Sequence, residues 1–186
     1  MIVILSGPSG AGEDSIIKGL QKIMPIKRIV TTTTRTMRPG ESEGNPYHFV
    51  TKEQFEKDLA HDKFFEHAKQ YNDQLYGVTF NAIRQAQESA DIYIWKIDYK
   101  GVQNAKKILP NAPAILITAP LRQLEARIRG RGGMSDKQIQ ERMAYSKEWF
   151  KHKNLYDHAI DNSNGKLKQS IKQIQNLLLE YQKTDS

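Results

Sequence analysis

The sequence predicts an α/β fold, a parallel sheet with helices on both faces. Two observations carry that prediction. Short β-like apolar runs alternate with segments of helical periodicity from one end of the chain to the other. The first run, Ile2-Val3-Ile4-Leu5, leads straight into the glycine-rich stretch "SGPSGAGEDS" and then into a helical repeat, the strand–turn–helix order of a phosphate-binding loop.

The elements follow in order. After the loop, Ile16, Ile17, Leu20, Ile23 and Met24 recur at helical spacing until Pro25 stops them. Ile26 to Thr34 is rich in β-branched residues and reads as a second strand. Thr51 and Gln54 form a capping-box pattern ahead of Phe55, Leu59, Phe64 and Phe65, which predicts a helix from near Lys52. "DIYIWKID" reads as a strand, Val102 to Leu109 as a helix ended by Pro110, and "AILITA" as a further strand. A long helical stretch from Leu121 runs into "RGRGG", and Ser135 with Gln138 caps the next helix, which carries Ile139, Met143, Trp149 and Phe150. A short strand near "HAIDN" comes last, before a helix whose apolar face is Leu167, Ile171, Ile174, Leu177, Leu178 and Tyr181. Residues 35–48 are the most turn-rich and polar segment, the kind of loop that carries binding groups. Without repeats or a long linker, the 186 residues read as one domain.

The composition, 38% hydrophobic and 26% charged, is that of a soluble globular protein, and no run approaches the roughly 20 apolar residues a membrane span requires. Met1 leads directly into the first strand with no export signal, so the expected location is the cytoplasm. The absence of cysteine excludes disulfides, thiolate catalysis and thiolate metal sites. A net charge of +7 fits either nucleic acid or anionic small molecules; most of the basic residues are spread as solvated faces, with a denser group at Arg122, Arg127, Arg129 and Arg131.

The chemistry concentrates in two places. Gly7, Ser9, Gly10, Ala11 and Gly12 can present backbone N–H groups to phosphate oxygens at a helix N-terminus. The pattern G-x-x-x-x-G-K-[ST] is kept at Gly7 and Gly12, but Glu13 stands where the lysine belongs and Asp14 at the Mg²⁺-binding hydroxyl position, with Ser15 adjacent. A carboxylate at Asp14 is a candidate Mg²⁺ ligand. Two unit charges 4 Å apart interact by about 4 kcal/mol at an effective dielectric of 20, so the reversal at Glu13 is severe unless compensated. In the second place, "TTTTRTMRPGE…PYHF", Arg35, Arg38 and Tyr47 offer guanidinium forks and a hydroxyl suited to a phosphate dianion; the plainer reading is a β edge with solvated arginines.

Taken together, "GPSGAG", "TTRTMRPGE", "YHFV", "FFEHA", "LYGVT", "IDYKG", "RIRGRG" and "AIDN" follow the order and spacing of the guanylate kinases, which the chain resembles over essentially its whole length. The resemblance implies a three-layer P-loop core (1–30, 81–120 and 151–186), a GMP-binding region (31–80) and a lid (121–150). It implies transfer of the γ-phosphoryl group of ATP to GMP or dGMP, with Mg²⁺ accompanying ATP. It assigns GMP phosphate contacts to Arg35, Arg38, Tyr47 and Tyr76, and guanine contacts to Glu66 and Thr31. Asp98 falls near both, Arg127, Arg131 and Arg142 near the transferring phosphate, and Asn162 near adenine.

The departures are specific. Val78 replaces a hydroxyl-bearing residue, with Thr79 beside it as a substitute, and Lys100 replaces a glutamine. Lys96 occupies a position that is acidic in the family, so Glu13 and Lys96 are exchanged in sign together. Lys96 is therefore expected either to pair with Glu13 or to deliver an ammonium toward the phosphates; independent drift is the competing reading. Other readings are an inactive module that binds GMP or a phosphorylated partner, and a kinase for another phosphorylated acceptor. Nucleic acid is disfavoured because the aromatic residues fall at core spacing, and a monomer and a homodimer remain equally open.

Overall fold

Strand β1 (Ile2–Ser6) is buried at every position because both of its faces are covered. Val3 and Leu5 enter one apolar cluster while Ile2 and Ile4 enter another on the opposite face. The computed structural model of the chain describes residues 1–70 and 73–184. In it, β1 lies at the centre of a five-stranded parallel sheet with β2 (Ile26–Arg28), β8 (Ile92–Lys96), β9 (Ala114–Thr118) and β10 (His158–Asp161), in the order β10-β9-β1-β8-β2.

The first cluster is closed by helices α1 (Glu13–Gln21), α5 (Leu121–Gly130), α6 (Asp136–Lys151) and α7 (Leu167–Thr184), which contribute Ile16, Leu20, Leu124, Ile128, Met143, Ile174 and Leu178. The second is closed by α3 (Phe80–Glu88) and α4 (Tyr99–Ile108) through Ile83, Ala86, Val102 and Ala105 against Trp95. The periodicities place α5, α6 and α7 as expected from the sequence, and the reciprocal Ser135–Gln138 pair opens α6.

Residues 31–79 build a second, mixed sheet in the order β4-β5-β3-β7-β6 from β3 (Thr31–Thr33), β4 (Ser42–Glu43), β5 (Pro46–Phe49), β6 (Phe64–Lys69) and β7 (Leu75–Thr79). Three expectations are corrected here. Ile26 to Thr34 is not one strand: it breaks after Arg28, and its halves join different sheets. Phe64 and Phe65 do not extend the helix α2 (Lys52–Ala60); His61 caps it and Asp62 turns at φ 50°, so both phenylalanines start β6. The polar segment 35–48 is not all loop, since β4 and all of β5 but Phe49 lie within it.

Helices α1 and α7 meet at Gly19, where a Cβ would stand 2.2 Å from Ile171 Cδ1 and 3.0 Å from its Cγ1. We predict that Gly19→Ala lowers unfolding free energy by about 1–3 kcal/mol through overpacking. Thermal or urea melts should show a smaller loss in Gly19→Ala/Ile171→Val, which removes the clashing methyl, than in the single variant.

Candidate active site

The carboxyl ends of the central strands converge on the loop between β1 and α1. Gly10 and Gly12 adopt φ values of 89° and 101°, which L side chains rarely tolerate, and a Cβ on Gly7 would lie 2.7 Å from the Ile117 carbonyl oxygen. The loop's outward carbonyls are held from behind. Arg127 donates through Nη1 to Gly10 O at 3.0 Å and through Nη2 to Asn162 O at 2.8 Å, and buried Asn162 donates through Nδ2 to Ala11 O at 2.7 Å. Ser170 Oγ of α7 lies 3.2 Å from Asn162 Oδ1. Above the loop, Arg142 of α6 donates to Ser9 Oγ at 3.1 Å and Trp149 Nε1 to Ser6 Oγ at 3.1 Å.

Glu13 turns back on the loop, its Oε2 accepting the Gly12 N–H at 3.0 Å, and burial pushes its carboxyl above the usual carboxylate range despite the opposing pull of Lys96. Lys96 makes its ion pair one residue further on, with Asp14 Oδ2 at 2.7 Å, while Arg28 reaches Asp14 Oδ1 at 2.9 Å. These two cations outweigh the partial desolvation of this half-exposed group and hold the Asp14 carboxyl well below its ordinary range. Of the two expected arrangements for Lys96, a direct pair with Glu13 is thus replaced by a pair with its neighbour. Both oxygens of Asp14 already accept from cations, so a Mg²⁺ held there would have to share the carboxylate with Lys96 and Arg28. No cluster of three or more His, Asp or Glu suited to a metal exists among the described residues.

The cleft beyond the loop is walled by the second sheet. Arg35 lies 6% exposed and forms a two-pronged pair with Glu41, at 2.8 Å and 3.0 Å, while its guanidinium packs over the Tyr47 and Phe49 rings. Arg38, Tyr47, Tyr76 and Thr31 line the same cavity as Arg131, Arg142 and the loop residues Ser9, Gly10 and Gly12 to Ser15. Burial and the like charges of Arg35 and Arg142 lower the pKa of Arg38, the signature of cations gathered where an anion would relieve them.

Further in, Glu66 sits 6% exposed, with Asn104 Nδ2 donating to Oε1 at 3.3 Å. Burial raises its pKa to about 7, the Asn104 hydrogen bond opposing and the Asp98 charge adding to the rise. Asp98 spends both oxygens on structure: Oδ1 caps α4 through the Gly101 N–H and Oδ2 accepts from Tyr145 at 2.8 Å.

The cavity thus brings together most of the residues singled out from the sequence. Ala11, Thr79, Arg127 and Asn162 lie outside its wall among the described residues. The Thr79 hydroxyl caps α3 by accepting the Ala82 N–H, and Arg127 and Asn162 grip the back of the loop. Arg28, Glu41, Asn104, Tyr145 and Trp149 complete the site without having been singled out. Glu41 alone had a signal, as the last letter of "TTRTMRPGE".

Comparison with known proteins agrees with this geometry. The family model described as guanylate kinase matches residues 1–181. A guanylate kinase of Rickettsia bellii is 37% identical over 98% of this chain and 95% of its own length, and one of Shewanella violacea is 40% identical over 87% of this chain and 79% of its own. The crystal structure of guanylate kinase from Anaplasma phagocytophilum superposes with a TM-score of 0.77 at 25% identity, covering 98% of this chain and 86% of that one. A parallel P-loop sheet, a cationic cleft and a match running almost from end to end lead to one conclusion: the chain belongs to the guanylate kinase family.

Proposed function

We propose that this protein transfers the γ-phosphoryl group of ATP to GMP, and to dGMP, giving ADP and the nucleoside diphosphate. The observation that supports this most strongly is the joining, in one cavity, of a glycine-rich loop at a helix N-terminus with a deeply buried acid, Glu66. The loop supplies N–H donors for a triphosphate. Glu66 supplies paired acceptors matched to the N1 and N2 donors of guanine, with Thr31 at the same wall. Between them, Arg35, Arg38, Tyr47 and Tyr76 take the acceptor's phosphate, and Arg131 and Arg142 the transferring group.

The chemistry is an in-line displacement. An acceptor phosphate oxygen bonds to the γ-phosphorus as the bond to the β–γ bridging oxygen breaks, and the leaving diphosphate keeps the electron pair. No base is required, because the attacking oxygen is already anionic. The protein's work is alignment and charge stabilisation, so Arg127 and Asn162 act by fixing the loop. Mg²⁺ in this reading travels on the phosphates of ATP and not on a protein carboxylate.

A coupled assay of ADP release over GMP, dGMP, AMP, UMP and CMP tests the proposal. We expect turnover with the two guanine nucleotides only. Tight GMP binding with no turnover would instead mark a binding module, an outcome that Glu13 gives reason to look for, and equal use of AMP would remove Glu66 from guanine recognition.

The acid also sets a pH dependence. Glu66 ionises near pH 7, and only the carboxylate presents two acceptors, so GMP affinity should be greatest above that pH and weaken toward about tenfold per unit below it. Calorimetric titration of GMP from pH 5.5 to 8.5 checks this. Glu66→Gln should flatten the profile and lower GMP affinity about 10- to 100-fold at pH 8, the range for losing a hydrogen bond to a charged group.

A further inference from the structure

In a P-loop the residue after the last glycine is a lysine whose ammonium meets the β- and γ-phosphates. Glu13 cannot do this, and its carboxylate is folded back onto the Gly12 N–H. A cation brought by another strand nevertheless lines the same cavity as the loop. Lys96 ends β8, where it lies in register with Leu5 of β1, one step before the loop begins. Its Nζ is fixed 2.7 Å from Asp14 in the first turn of α1, and its side chain lines the cavity at 20% exposure. Glu13 and, across the cleft, Tyr47 are further electrostatic neighbours. The ammonium therefore sits between the loop and the wall that carries Arg35 and Tyr47.

We infer that Lys96 is a catalytic residue that supplies from β8 the phosphate-binding cation missing from the loop, with Asp14 as the positioning residue that holds it there. The inference rests on the phosphoryl-transfer reading above. An ammonium has three donors; Asp14 takes one, and two remain for phosphate oxygens. Arg28, donating to the other Asp14 oxygen, keeps that carboxylate from turning toward the ligand. Burial drives Glu13 toward its neutral form, and a neutral Glu13 would leave Lys96, Arg28 and Asp14 with one net positive charge. As the bond from the γ-phosphorus to the bridging oxygen breaks, negative charge grows on the leaving diphosphate, where this cation is aimed.

The test uses the full chain as wild type, Lys96→Met, Lys96→Arg and the double variant Glu13→Lys/Lys96→Met. Lys96→Met should lower kcat about 10²- to 10³-fold, weaken ATP and inorganic tripolyphosphate binding by about tenfold or more, and leave the GMP dissociation constant within about threefold. Lys96→Arg should recover part of kcat, and the double variant, with lysine returned to the loop, should come within about tenfold of wild type. Should Lys96→Met melt below the assay temperature, the arginine and double variants carry the comparison.

Lys96→Met with kcat and tripolyphosphate affinity within about threefold of wild type overturns the assignment. A double variant as slow as Lys96→Met does so too, because it would mean that Lys96 merely braces Asp14. If wild type fails to phosphorylate GMP, the proposed function falls on its own. The Lys96 inference is then decided by tripolyphosphate affinity, which Lys96→Met must weaken for it to stand.

Discussion

One carboxylate ties three strand ends together. In the order β1-β8-β2, Lys96 ends β8, Arg28 ends β2, and Asp14 lies in the first turn of the helix that follows β1. Asp14 thus joins three neighbours of a parallel sheet at the edge where such sheets bind ligands. Its side chain is 56% exposed, but the two cations it holds are far less so, at 15% and 20%. Removing the carboxylate would leave two like charges facing each other with little water to screen them. This pairing fixes the direction of Lys96 and joins the first turn of α1 to the ends of β8 and β2.

A buried cleft crowded with cations needs internal anions while no substrate is present. Glu41 fills that role for Arg35 and the Arg38 backbone, and Asp14 for Arg28 and Lys96. The aromatic residues do related work: Tyr47 offers its ring face to both Arg28 and Arg35. In the proposed function a phosphate would therefore meet cations that internal anions already hold in place.

The main sheet was legible because its strands are covered on both faces, which forces continuous apolar runs such as "IVIL" and "AILIT". The helices were legible through their caps and spacing. The second sheet was not. Thr31–Thr33 read only as the continuation of β2, the mixed letters of "LYGVT" do not alternate as a half-buried strand does, and β4 is only two residues long. The sign exchange between Glu13 and Lys96 could be seen in the letters, but not which carboxylate would take the lysine. That depends on how α1 is rotated against β8, and rotation is set by the core. Arg127 and Asn162 carried the right motif letters but gave no hint that they face the back of the loop.

The grip on that back side has a consequence for how the protein is made. The loop's carbonyls are held by Arg127 and Asn162, and Asn162 is in turn contacted by Ser170, buried in a helix that runs to Thr184. These restraints lie 117 and 151 positions further along the chain than the carbonyls they hold, so they are synthesised well after the loop. Until they have been made the loop lacks its rear support, so a nucleotide bound in the proposed manner could stabilise the loop only after they have folded. Before that point the partly made chain has the apolar sheet and its first helices to hold it together.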